Sequence, residues 1–370
     1  MADHVEGNNM VSTKSIVPWH RAGHVIPDEV ITGAEAMAYC NQHWLVDKVA
    51  AFIAIQHQVQ EMGLGQSRWL EVEGQSSGGD DTYTRIETSY EESPETFFTA
   101  RSDKQGAEAI LGTVGSQYTP IQNEQMYEFC DALVAEGGAK YETAGTLKGG
   151  RTVWCLANFP DHVSHIAGPK DEIKMYLLVA NSHDGTKALT AAVTPIRTVC
   201  RNTLALGLRT AKSSWSLRHT SGIEGRVDEA RAALGLLVDY QNQWEFDMRR
   251  LLDRPCSPDE FETMVQHLRP VAADGEVSTQ MENDRQGLRS TWTSDPTVNM
   301  TGMEGSRYAA LQAVSAWADH SWGSPQWRKG NAEAVLQRNW WGSSYHLKRK
   351  AHELLVKDTM PEIQVQVRTG

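Results

Sequence analysis

Two glycine-marked turns limit what this chain can fold into. AKYETAGTL and TVWCLANF flank Lys148-Gly149-Gly150, and KMYLLVANS and ALTAAVTPIRTV flank His183-Asp184-Gly185. Strand-length apolar runs on either side of so tight a glycine turn pair as antiparallel hairpins, because glycine supplies the backbone conformation that the reversal needs. Four successive strands are therefore expected, and their apolar faces must be covered by helices. One helix is predicted before them: Met126, Phe129, Cys130, Leu133 and Val134 recur at i, i+3, i+4, i+7 and i+8 behind Asn123, with Gly137-Gly138 as the stop. Another is predicted after them, with Asn202 or Thr203 capping TLALGLRTA.

Around this core the patterning changes twice, which divides the chain into an N-terminal α/β region (1–115), a core of helix, four strands and helix (116–223) and a helical C-terminal domain (224–370). Residues 1–15 are polar and aperiodic and read as disordered. Thr32 is placed to cap a helix through Ala36, Met37, Tyr39 and Cys40, and 71–82 (EVEGQSSGGDDT) reads as a flexible acidic loop between strand-like pieces. Val227, Ala230, Leu234, Leu237, Tyr240, Trp244, Met248 and Leu251 keep helical spacing over seven turns. The polar stretch 271–305 reads as a long loop, followed by helices around Tyr308–Ala318 and Leu347–Leu355. The expected fold class is α+β: a central antiparallel four-stranded sheet flanked by helices, with a mainly helical C-terminal domain.

Charge is unevenly distributed along the chain. Its net charge is −12, yet Lys187, Arg197, Arg201, Arg209, Lys212 and Arg218 fall in 185–218 with no acidic residue among them. Residues 327–350 add six bases against Glu333, interleaved with Trp327, Trp340, Trp341 and Tyr345. A strand running into a capped helix leaves unpaired N–H groups and partial positive charge at the helix start. Arg197 and Arg201 beside a cap at Asn202 or Thr203 then read as a phosphate clamp, weighed against both arginines pairing with carboxylates elsewhere. Cations with interleaved aromatics also suit a single strand held without sequence readout. Packing of Trp340 and Trp341 in a helical core is the favoured alternative for those two rings. The expected nucleic-acid contacts are Lys187, Arg197, Arg201, Asn202, Thr203, Arg209, Lys212, Arg218, Lys348, Arg349 and Lys350.

Other chemistry is less well marked. His20, His24 and Asp28 share a spacing of four, but Pro18, Gly23 and Pro27 oppose a helix there, so structural histidines outweigh a metal site. His162 and His165 read the same way. His183-Asp184 is a proton-transfer pair or, more simply, the turn itself. No P-loop, G-x-G-x-x-G, H-E-x-x-H, G-x-S-x-G or C-x-x-C motif occurs, so no catalytic residue, metal or cofactor is assigned. Five scattered cysteines fit neither a disulfide framework nor zinc. MADHVEGNNMVSTKS has no apolar signal core and no run spans a bilayer, so a bacterial cytoplasm and no membrane contact are expected.

The strings PWHRAG (18–23), YTPIQN (118–123), YETAGTLKGGRTVW (141–154), NSHDG (181–185), TPIRTVCRNTL (194–204) and the final WWGSSYHLKRKAHELL resemble the uncharacterised phage/plasmid-like family known as domain of unknown function 932. That resemblance implies a phage, prophage or conjugative element and no established activity. The order of one helix, four strands and a second helix is also similar, at fold level only, to RecT/Redβ-type single-strand annealing proteins. The leading expectation is an ATP-independent single-stranded DNA-binding or annealing protein of a mobile element. It would be a homo-oligomer, associating through helix 226–252, with a host or phage replication or recombination protein as a further partner. Two other classes stay open: an interaction protein whose acidic surface imitates DNA to bind a host factor, and a metal-dependent nuclease or hydrolase using His183, Asp184 or the 20/24 histidines.

Overall fold

Both glycine turns join antiparallel strands. The structure is a computed structural model and describes residues 10–12, 24–26, 32–62, 82–134, 139–197, 202–203, 214–220, 226, 228–230, 237–271, 277–323, 332–340 and 342–357. The strands are β1 (Met10–Ser12), β2 (His24–Ile26), β3 (Val46–Met62), β4 (Thr82–Arg101), β5 (Ile110–Gly115), β6 (Lys140–Leu147), β7 (Thr152–His165), β8 (Glu172–Ser182), β9 (Leu189–Arg197), β10 (Asn202–Thr203) and β11 (Ser214–Leu217). The four expected strands are β6 to β9, but they form the middle of an eight-stranded sheet ordered β10-β9-β8-β7-β6-β1-β2, with β11 also paired to β9. The four-stranded expectation is corrected on both sides. Short β1 and β2 extend the β6 edge from segments with no visible period, and β1 lies within 1–15, the stretch read as disordered. A second antiparallel sheet has the order β3-β4-β5.

Alternation along β7 and β8 explains why both runs are almost continuously apolar. Val153, Cys155, Ala157, Met175, Leu177 and Val179 join the main core. Their neighbours Trp154, Leu156, Tyr176, Leu178 and Ala180 form a smaller cluster on the other face, closed by Trp340. A sheet covered on both faces needs such runs.

The helices are α1 (Gly33–Tyr39), α2 (Asn123–Val134), α3 (Leu237–Leu252), α4 (Pro258–Leu268), α5 (Thr279–Ser294), α6 (Arg307–Ala316), α7 (Ala332–Trp340) and α8 (Ser343–Leu355). Thr32 caps α1 through a capping box with Glu35, and Ser257 and Glu260 do the same for α4. Helix α5 occupies the middle of the stretch 271–305, expected to be one long loop. Asn202 and Thr203 do not cap a helix: they form β10, doubling back antiparallel on Ile196 and Arg197. The rest of TLALGLRTA and most of the acidic loop 71–82 lie outside the described residues. Among those described, no helix is long and apolar enough to cross a membrane.

Candidate functional site

Arg197, the centre of the expected clamp, is fully buried. Its Nε is bonded to Asp171, and its Nη1 donates to the Thr297 carbonyl at 2.7 Å. Asp171 also accepts from Tyr308 Oη at 3.0 Å and Ala167 N at 2.9 Å. The clamp is corrected accordingly. A charge this far from water needs a carboxylate, and an internal partner has taken the place of an external phosphate. Lys348 is corrected on the same ground: it is buried and paired with Asp319 at 2.8 Å. Burial pulls the lysine's pKa down while Asp319 opposes the shift. Trp340 is buried as expected, but against the sheet and not in a helical core: it packs edge-on against Trp154 of β7 at 4.7 Å. Trp341 lies outside the described residues. Arg349 pairs with Glu353, and Lys350 donates to the His267 carbonyl, both on α8. Arg201, Arg209 and Lys212 lie outside the described residues, as do the side chains of Asn202 and Thr203.

Two expected residues do come together, at the turn end of the large sheet. Leu217 pairs with Leu189, so Arg218 emerges beside the strand start that follows Lys187. Thr152 pairs with Ser182, and His183 N donates to the Arg151 carbonyl at 2.8 Å, which sets the two glycine turns side by side. Lys148, Arg151 and Arg218 are exposed and Lys187 is half-buried. Burial, then the neighbouring charge of Lys148, lowers the Lys187 pKa, with Asp184 opposing. Among the described residues none of Lys148, Arg151 and Arg218 has an ion-pair partner. Lys148 and Arg151 were missed in the sequence because TLKGGR reads first as a turn. The signal was there, since two cations bracket the two glycines.

This rim is held rigidly from beneath. Lys148, Gly149 and Gly150 have φ of 54°, 65° and 96°, the left-handed region that glycine adopts without strain. The carbonyl of Gly149 accepts from Arg101 Nη1 at 2.8 Å, and Arg101 lies over Trp44 at 4.5 Å. Trp44 in turn meets the His183 ring edge-on at 5.4 Å. Asp184 is turned inward: burial raises its pKa, but bonds from the Ser182 and Thr186 hydroxyls and Thr186 N outweigh that and hold it low. Its negative charge is thereby kept and stabilised within the turn.

The histidines beneath the rim are structural in character. His183 is fully buried, with Nε2 2.9 Å from Asn123 Oδ1 and its backbone carbonyl accepting from Thr99 at 2.6 Å. Burial and the approach of His219 and Arg101 depress its pKa to about 3, despite Asp184. His219 stacks on Tyr118 at 4.8 Å and is depressed by burial to about 4. Both rings are neutral at pH 7. His162 is engaged with Gln241 at 2.8 Å. His20 and Asp28 lie outside the described residues, and only the backbone of His24, in β2, is described. Among the described residues no three His, Cys, Asp or Glu side chains are grouped to hold a metal. Elsewhere, a half-open hollow of about 460 Å³ lies between α5 and the π-helical turn Trp317–Ser321, lined by Asn283, Asp284, Thr291 and Trp317.

The family described as Domain of unknown function (DUF932) matches this chain over residues 110–341. No curated protein matches it. No solved structure matches either, so the likeness to annealing proteins has no structural support.

Proposed function

The chain belongs to the DUF932 family, whose match takes in the whole basic rim, and we propose that this rim binds the phosphates of single-stranded nucleic acid without ATP, as in a DNA-binding or annealing protein of a phage or other mobile element. The observation that carries this reading is the gathering of Lys148, Arg151, Lys187 and Arg218 at one end of the sheet of a chain with net charge −12, three of them exposed and without ion pairs among the described residues. Cations in an acidic protein ordinarily pair with its carboxylates, as Arg197 and Lys348 do. Exposed cations held on anchored turns supply phosphate affinity without base specificity. The segment 204–213, which joins β10 to β11 and carries Arg209 and Lys212, belongs to the same proposal.

Binding is measured by anisotropy of labelled single- and double-stranded oligonucleotides across a salt series. On a single strand, log K falls by about 0.7 per phosphate neutralised for each decade of salt. Lys148→Gln/Arg151→Gln should therefore flatten the slope by about 1.4. An unchanged slope, or no binding at low salt, rejects the reading. The DNA-imitating interaction protein stays in view because Glu91, Glu92 and Glu95 stand exposed on β4. Stoichiometric recovery of a host protein, with no oligonucleotide binding, would favour it instead.

A further inference from the structure

Strands β3 and β4 run for 17 and 20 residues, far beyond the third strand of their sheet. Strand β5 pairs only with Thr96–Ala100 of β4, so from Phe52 to Met62 and from Thr82 to Glu92 the two strands pair with each other alone among the described residues. At about 3.3 Å per residue this ribbon is about 36 Å long. Its base is sealed: the Gln122 amide bonds both the N–H and the C=O of Val46, at 2.8 and 2.9 Å. Beyond it, Phe52, Ile53 and Tyr90 are 60%, 53% and 71% exposed. A lone two-stranded ribbon is marginal in water, and three or more strands are needed for independent stability.

The two edges are defended unequally. The outer edge of β4 carries Glu91, Glu92, Pro94 and Glu95, all exposed, the charges and proline that keep foreign strands away. On β3 the charges stand only at the two ends, Asp47 and Lys48 at the base and Glu61 at the tip. Val49–Gln60, VAAFIAIQHQVQ, contains no Asp, Glu, Lys or Arg. We infer that β3 is a dimerisation edge, pairing antiparallel with β3 of a second copy of this chain.

The charge pattern selects that occupant. Pairing through Val49–Gln60 of β3 about a twofold axis places an uncharged stretch against an uncharged stretch and closes the assembly. The acidic β4 strands are then outermost, three strand spacings or about 14 Å apart, which exceeds the screening length of about 10 Å at 0.1 M salt. Pairing through β4 centred on Glu91 would set glutamates against glutamates. The apolar stripe of α3, by contrast, is spent within the chain: Tyr240, Trp244, Met248 and Leu251 are all buried in its own core.

A twofold axis normal to the sheet opposes residues of like parity, so Ile53 and Ile55 of one copy face odd-numbered residues of the other in every register. Light-scattering mass of the full chain at micromolar concentration should give a dimer. Ile53→Lys/Ile55→Lys and Ile53→Glu/Ile55→Glu should each raise the dimer dissociation constant at least tenfold, with unchanged circular dichroism. Mixing the two variants should restore the dimer. A monomeric native protein overturns the inference and leaves the edge to a strand of some other protein. A lysine variant that stays dimeric, or a mixture that stays monomeric, overturns it as well.

Discussion

His183 and His219 show how a residue can be legible in type and illegible in role. In the sequence, NSHDG offers a proton-transfer pair or a turn, and the turn prevails because Trp44 and Asn123 enclose the imidazole while Thr99 holds the backbone carbonyl of His183. Burial keeps both rings neutral, with pKa values depressed to about 3 and about 4. An unfolded histidine takes up its proton near pH 6.5. The depressed folded values therefore give stability that is complete above about pH 6.5 and lost as the pH falls towards 4 and 3. At pH 5 each histidine should account for about 2 kcal/mol of lost stability. Urea midpoints at pH 7.5 and pH 5 measure this. His219→Phe, which keeps a ring on Tyr118 and cannot titrate, should remove about half of the drop; an undiminished drop would show that other groups cause it.

At the scale of the elements, the two sheets meet at a point that glycine makes possible. A Cβ on Gly112 in β5 would lie 2.5 Å from the Asp184 Cα and 2.7 Å from its Cβ, and the chain there cannot yield as a flexible side chain would. Gly112→Ala should destabilise the fold by about 1–3 kcal/mol through overpacking. It should also weaken oligonucleotide binding, because the His183–Lys187 turn must shift. Chemical denaturation and anisotropy together test this, and native values for both would place the contact elsewhere. The hairpins were readable because apolar runs flank glycine, and α2 because its stripe has helical period. Helix α5 was not: among TQMENDRQGLRSTWTS the buried residues are Asp284, Arg285 and Leu288, so no apolar stripe marks it. Arg285 instead donates to the Arg269 carbonyl at 3.0 and 2.7 Å. The β3–β4 ribbon was read only in pieces, because its outer half has no core to impose alternation.

For the whole molecule, the division at 223/224 seen in the sequence marks a change of patterning while one core continues across it. Sheet residues such as Met175 and Leu177 belong to the same apolar cluster as Trp244, Leu311 and Leu354. Arg197 fastens the two parts: it joins Asp171 of the sheet side to the Thr297 carbonyl and to the Met300 and Met303 sulfurs, while Tyr308 closes on Asp171 from α6. Arg197 of the acid-free run serves this joint, and sequence spacing cannot show it: Asp171 is two strands away along the chain but lies against Arg197 in the fold. Arg197→Ala would leave Asp171 charged, buried and without its cation, at a cost of about 3–5 kcal/mol. With a shared core, tryptophan fluorescence and far-ultraviolet circular dichroism should still report one transition, displaced together to lower denaturant. Two separated transitions in the native protein would show that the helical segment folds independently of the sheet. Loss of nucleic-acid affinity in the folded Arg197→Ala protein at low denaturant, without change at Lys148 or Arg151, would return Arg197 to the binding surface.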